Sequence, residues 1–186
     1  GKQATHEQLR GQKGCYNRAM KGLEAVRAQG GIDLSIYMVV TRENVDEISA
    51  VFDLAQEKGV GFDFWPVNDA EEHYLRTETE RKAYRRAVEH VAAQDPAVAD
   101  RIAFYEAGLT YHASGLGAVR CLGLVDQYGV TFTGDLIPCC VWGKDGLVVG
   151  NVFETPLAEL WESDKVQRAR QHLWGTGCTE GCFNHS

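Results

Sequence analysis

No stretch of the chain approaches the ~18 consecutive apolar residues that a helix needs to cross a bilayer, so no membrane span is expected. Positive charge is also short: 19 Lys and Arg stand against 26 Asp and Glu, for a net charge of −7. A general nucleic-acid binder gains most of its affinity by neutralising phosphates, and a helix lying on an anionic membrane needs a basic face. Both roles are therefore disfavoured. The opening residues Gly1 to Gln8 are polar and lack the apolar stretch of a secretory leader, so the expected compartment is the cytoplasm. Internal repeats and low-complexity tracts are missing. His73, His90, His112 and His172 have no paired spacing, so each reads as a core or surface residue. What is there is 44% apolar residues in 186, enough to bury one packed domain or two small ones. The chain begins with Gly rather than Met and reads as a piece of something larger. It also holds six Cys, more than an ordinary chain of this length carries.

The first two thirds alternate between helix and strand signals. Residues 17–29 place Ala19, Leu23 and Val26 at helical spacing, with Gly30 and Gly31 as a stop. Residues 32–40 are rich in β-branched and aromatic side chains and read as a strand buried on both faces. Asn44 reads as a helix N-cap, with Glu47 completing a capping box. Val45, Ile48, Phe52 and Ala55 form the stripe of that helix, and Gly59 ends it. Residues 60–67 read as a second strand. Residues 79–93 read as a helix with Ala83, Ala87 and Val91 in register, and Asp95-Pro96 opens another over 97–109. This order predicts a parallel sheet covered by helices. Two strands are too few for one, so others are expected N-terminal to Gly1 or from another chain.

The last third changes character after residue 112, and a boundary is expected between 112 and 120, with Gly115-Leu116-Gly117 as linker. Residues 127–133 and 136–142 read as strands joined by a hairpin turn at Gly134-Asp135. A glycine-rich loop is expected over 144–151. Thr155-Pro156 then starts a helix with Leu157, Leu160 and Trp161 on one face.

Five cysteines lie in this region: Cys121, Cys139, Cys140, Cys178 and Cys182. Seventeen residues separate Cys121 from Cys139, thirty-eight separate Cys139 from Cys178, and three separate Cys178 from Cys182. One thiol before a hairpin, one at its end and a close pair after a helix can converge on a single ion or cluster. Spacing alone fits structural zinc and iron–sulfur equally. A disulfide framework would need an oxidising compartment, which nothing here indicates. Cys139 and Cys140 are neighbours on an expected strand and point to opposite faces, so one of them is the ligand. The position after Pro138 favours Cys139. Cys15 and Cys140 read as ordinary thiols.

These residues resemble the C-terminal half of a radical S-adenosylmethionine (radical SAM) enzyme with a twitch- or SPASM-type auxiliary iron–sulfur domain. The opening Gly1…His6-Glu7-Gln8-Leu9-Arg10-Gly11 is similar to the segment after that family's fourth barrel strand. Val39-Val40-Thr41-Arg42-Glu43-Asn44 is similar to the end of its fifth strand, and residues 59–67 to its sixth. Cys121, Pro138-Cys139-Cys140, Gly150-Asn151, the Leu157 to Trp161 helix and Cys178-x-x-x-Cys182 follow the family order. The resemblance implies an α/β fold: residues 1–112 as the second half of a partial (β/α)6 TIM-like barrel, then a small α+β cluster domain over 113–186. It implies an auxiliary 4Fe-4S cluster on Cys121, Cys139, Cys178 and Cys182, for electron transfer or for substrate binding. A zinc-stabilised, non-enzymatic binding module is the alternative.

The family's Cys-x-x-x-Cys-x-x-Cys motif, which holds the cluster that cleaves S-adenosylmethionine, is absent from these residues. The expected parent enzyme therefore supplies that second 4Fe-4S cluster and S-adenosylmethionine, and this chain alone is expected to be inactive. Arg10 reads either as a partner of the cofactor's carboxylate or as a solvated side chain. Thr41 and Asn44 lie at the C-terminal end of a parallel strand, where such folds build their sites. Trp65 reads as a cavity wall or as barrel packing. The expected partners are a small-molecule or peptide substrate, an electron donor such as flavodoxin or ferredoxin, and the N-terminal half of the barrel.

Overall fold

Alternation governs the first strand, β1 (Ser35–Val40): Met38 and Val40 are buried, whereas Tyr37 and Val39 are each 45% exposed. The expectation of a strand buried on both faces is corrected here, because the face that carries Tyr37 and Val39 stays half exposed. β1 pairs in parallel with β2 (Gly61–Pro66), in a register running from Ser35↔Gly61 to Val40↔Pro66. The computed structural model describes residues 1–67, 70–114, 123–125, 127–139 and 148–176. Two compact units divide the chain, Gly1–Ala113 and Ser114–Ser186.

In the first unit, α1 (Gln3–Arg10) and α2 (Cys15–Gln29) precede β1. A 3-10 turn, Val45–Glu47, runs into α3 (Ile48–Lys58), which buries the expected Ile48, Phe52 and Ala55 beside Val45. Gly59 ends α3 at φ 64°, a left-handed conformation that L side chains avoid. After β2, Thr77 caps α4 (Glu78–Ala92) with a complete capping box to Glu80. The helix expected over 97–109 is instead two pieces, α5 (Pro96–Ala99) and α6 (Ile102–Ser114). The core is a ladder of rings: Phe64 stacks on Phe62 at 5.4 Å and on Tyr105 at 4.7 Å, and meets Tyr84 edge-on at 5.9 Å.

The second unit carries a three-stranded antiparallel sheet, β3 (Gly129–Val130), β4 (Asp135–Ile137) and β5 (Gly150–Asn151), followed by α7 (Leu157–Glu162) and α8 (Asp164–Thr176). Its strands are shorter than the sequence predicts. The hairpin turn spans residues 131–134 rather than centring on Gly134-Asp135, because Thr131 accepts from the Gly134 N–H at 2.9 Å and Asp135 belongs to β4. Gly150 and Asn151, expected in a loop, form β5.

The chain is thus mixed α/β with two small sheets, and the described residues do not close a barrel. No helix among them is long and apolar enough to cross a membrane. The linker at 115–117, residues 144–147 of the expected loop, Cys121, Cys140, Cys178 and Cys182 lie outside the described residues.

Candidate metal centre and cofactor cavity

Seven buried aliphatic residues make the core of the second unit: Leu124, Leu136, Val149, Leu160, Val166, Ala169 and Leu173. Leu124 follows Cys121 by three residues, Leu136 precedes Cys139 by three, and Leu173 precedes Cys178 by five. Each of these leucines is at most 1% exposed. Leucines close in sequence to three of the cysteine positions therefore share one core.

Local chemistry fixes the hairpin that leads to Cys139. The Asn151 amide donates to Asp135 Oδ1 at 3.0 Å and to the Thr133 carbonyl at 2.9 Å, which ties β5 across the turn. Thr133 Oγ1 donates to Asp135 Oδ2 at 2.6 Å, and the Asp135 N–H donates to Thr131 Oγ1 at 3.0 Å. Hydrogen bonds from Thr133 and Asn151 hold the Asp135 carboxyl below the usual carboxylate range. Gly150 is required by close approach, since a Cβ there would run into the Leu160 side chain on α7. The Gly-Asn pair thus has two separate jobs, clearance for Leu160 and a bridge to Asp135.

Cys139 is half-buried and lies two residues past the end of β4, after Pro138. The expected strand over 136–142 stops at Ile137, so strand alternation does not choose between Cys139 and Cys140. A half-buried thiol held next to a fixed hairpin suits a soft metal centre, and thiolates are the donors iron–sulfur clusters use. Cys15, a half-buried thiol at the first turn of α2, belongs to the other unit.

Arg10, Thr41 and Asn44 come together in the first unit. All three line one cavity of about 680 Å³, bounded by α1, α2 and residues 36–39 of β1. Arg10 is exposed at the end of α1, while Thr41 and Asn44 are buried. Asn44 does not cap the following helix. Its Oδ1 accepts from the Thr41 N–H at 2.8 Å and its Nδ2 donates to the Val39 carbonyl at 3.0 Å, so it terminates β1. Glu47 does not complete a capping box either. Its carboxylate accepts from the Lys2 N–H and from Thr5 Oγ1, each at 2.6 Å, and so caps the first turn of α1 from across the chain. Sequence reading missed this role because the partners are 45 and 42 residues apart. Trp65 meets Tyr37 edge-on at 4.1 Å on the half-open face of the sheet. His112 is a core residue, as expected.

Residues 121–183 match the SPASM iron–sulfur cluster-binding domain. The chain is 25% identical to an AdoMet-dependent heme synthase of Methanosarcina barkeri (strain Fusaro / DSM 804), over 88% of this chain and 51% of that protein. It is 24% identical to mycofactocin maturase MftC of Mycolicibacterium smegmatis (strain ATCC 700084 / mc(2)155), over 96% of this chain and 46% of the relative. A shorter stretch, 32% of the chain, is 32% identical to 15% of the Fe-coproporphyrin III synthase of Methanosarcina barkeri. No solved structure matches the chain. The chain spans about half the length of the first two relatives. The family match and these relatives support a radical SAM enzyme with a SPASM-type domain, a kind of domain that binds iron–sulfur clusters.

Proposed function

We propose that this chain is the C-terminal half of a radical SAM enzyme, with an auxiliary 4Fe-4S cluster held by Cys121, Cys139, Cys178 and Cys182. The observation that carries this reading is the shared burial of Leu124, Leu136 and Leu173, which anchors the segments bearing those cysteines in one small core. Bound there, the cluster supplies one-electron chemistry. The chain's own part is to hold four thiolates at fixed positions. Four protein ligands leave no iron open, which favours electron transfer over direct substrate binding.

The first unit is the second half of the partial barrel in this reading. Parallel strands are ordinarily covered on both faces, yet Tyr37 and Val39 stand half open, and a cavity runs beside residues 36–39. The N-terminal half of the parent fits that place as partner. Arg10 then contributes a guanidinium to the S-adenosylmethionine carboxylate, and Thr41 with Asn44 shapes the wall beside it. The substrate is a small molecule or a peptide, and the external electron donor is a flavodoxin or ferredoxin.

Anaerobic reconstitution of the full chain with ferrous iron and sulfide tests the reading. The expected product is brown and carries about four irons per chain. Alanine at Cys121 or Cys139 is expected to reduce the iron content. A colourless chain with one tightly held zinc, unfolding on chelation, would replace this reading with a zinc-stabilised binding module. The isolated chain is expected not to cleave S-adenosylmethionine, and turnover by it would refute the division of labour proposed here.

A further inference from the structure

Arg170 on α8 joins two of the cysteine-bearing segments. Its Nε donates to the Leu124 carbonyl at 2.5 Å, across 46 residues of chain. Its guanidinium carbon lies 4.3 Å from the centre of the Trp161 ring, and Trp161 in turn meets Tyr128 edge-on at 5.4 Å. The carbonyl that Arg170 takes is an unusual one. Leu124 has φ 62°, and it is the one non-glycine residue with positive φ among the described residues. Its N–H donates to the Gln127 carbonyl at 2.7 Å, which closes a tight turn, and its side chain is fully buried. A backbone held in this region persists only where the surroundings over-determine it. The charged donor, the Gln127 bond and the buried leucine do so here.

This turn begins three residues after Cys121, and Arg170 stands on the helix whose last residue, Thr176, is two before Cys178. We propose that Arg170 is a positioning residue for the iron–sulfur site, locking the turn after Cys121 to the helix that leads into Cys178 and Cys182. The inference rests on the proposed ligand set. Thiolate ligands must converge within a few ångströms, so one bond that fixes the relative placement of two ligand segments governs how long the cluster is retained. Trp161 holds the guanidinium in place by covering its face.

Two variants isolate the hydrogen bond. Arg170→Gln places an amide N–H at the same number of bonds from the backbone as Arg Nε, without the charge. Arg170→Met has similar length and no donor. The full chain and both variants are reconstituted anaerobically with ferrous iron and sulfide, and their fold is compared by circular dichroism. Iron release to a chelator and the electron paramagnetic resonance line shape of the reduced cluster are then measured. Arg170→Met is expected to release iron several-fold faster than wild type and to change the line shape, and Arg170→Gln to restore both. Wild-type release and line shape in Arg170→Met overturn the proposal, as does an Arg170→Gln variant indistinguishable from Arg170→Met. If Arg170→Met does not fold, Arg170→Lys takes its place: it keeps the charge but moves the donor one bond outward. It is expected to lose iron faster than Arg170→Gln, and the opposite order overturns the proposal. A wild-type chain that takes up no iron removes the ligand reading and this proposal together, whereas iron held equally by every variant removes this proposal alone.

Discussion

The two units are stabilised by different means. The first buries rings: Phe52, Phe62, Phe64, Tyr84 and Tyr105 fill the space between a two-stranded sheet and its helices. The described residues of the second bury aliphatic side chains, Leu124, Leu136, Val149, Leu160 and Leu173 among them, beside strands of two or three residues. Aromatic side chains bury two to three times the area of a small aliphatic one, so the first core excludes much more surface from water. A unit of this length ordinarily gains from a staple, and metal ligation by thiolates is one. On the proposed ligand set, the contrast predicts that the cysteine-rich unit draws stability from its cluster, while the first unit stands on packing.

Removing the metal is the largest test of that contrast. Chelation of the reconstituted chain is expected to abolish amide-exchange protection in α7 and α8 while leaving α3 and α4 as before, because binding free energy in such sites is folding free energy. Unchanged protection in α7 and α8 would break the comparison.

A smaller effect is expected at the hairpin. Gly134 has φ 85°, and a Cβ there would sit 2.5 Å from Phe153 Cδ2 and 2.7 Å from Asn151 Oδ1. Gly134→Ala combines left-handed strain with displacement of the Asn151 bridge, and is expected to cost about 1–3 kcal/mol. Thermal unfolding should show the loss in the second unit only, and an unshifted transition would mean that the turn is not part of what holds β4 to β5.

How much of this was legible in the sequence follows the range of the interactions. The stripe Val45, Ile48, Phe52, Ala55 was legible because helical period and burial agree within one turn. The cysteines were candidate ligands because thiols are scarce and their order is specific. The role of Glu47 was not, since its partners lie more than forty residues away and a local capping box explained it equally well. α1 buries no residue, so it carries no apolar stripe to announce it. Arg170 went unread because an arginine on an exposed-looking helix gives no sign of a distant carbonyl in a left-handed turn. The alternation argument between Cys139 and Cys140 does not apply for a local reason: β4 stops at Ile137, before Pro138, so neither cysteine lies on that strand segment.

The first unit has a pH sensitivity set by His112. His112 is 4% exposed; its Nδ1 accepts from the Leu75 N–H at 3.0 Å, which leaves Nε2–H to donate to the Val67 carbonyl at 2.5 Å. Burial pushes its pKa below the ordinary histidine value, and the Arg76 charge adds to this against the opposing Val67 carbonyl. The unfolded chain therefore takes up the proton first as pH falls. Stability is full above the ordinary histidine range and is lost as pH drops through it toward the folded-state value. The unfolding midpoint of the first unit should fall between about pH 7.5 and about 5.5, and His112→Gln should flatten that slope. An equal slope in the variant would assign the sensitivity elsewhere.

The smallest expected effect has the opposite sign and bears on how well the ring core is packed. Tyr84 is fully buried, and its hydroxyl has no hydrogen-bond partner among the described residues. Desolvation holds its pKa well above the ordinary tyrosine value, so it stays neutral at any workable pH. A buried hydroxyl without a partner has given up its hydration and gained nothing in exchange. Tyr84→Phe removes that oxygen and keeps the edge-on contact with Phe64 at 5.9 Å. Two terms oppose each other: relief of the unpaired hydroxyl favours Phe, and the small void left by the oxygen favours Tyr. The first is the larger for a group this dry, so Tyr84→Phe is expected to stabilise the first unit by up to about 1 kcal/mol. A loss of stability instead would show that the hydroxyl fills space the ring ladder needs, and that the first core depends on close fit as much as on the area of its rings.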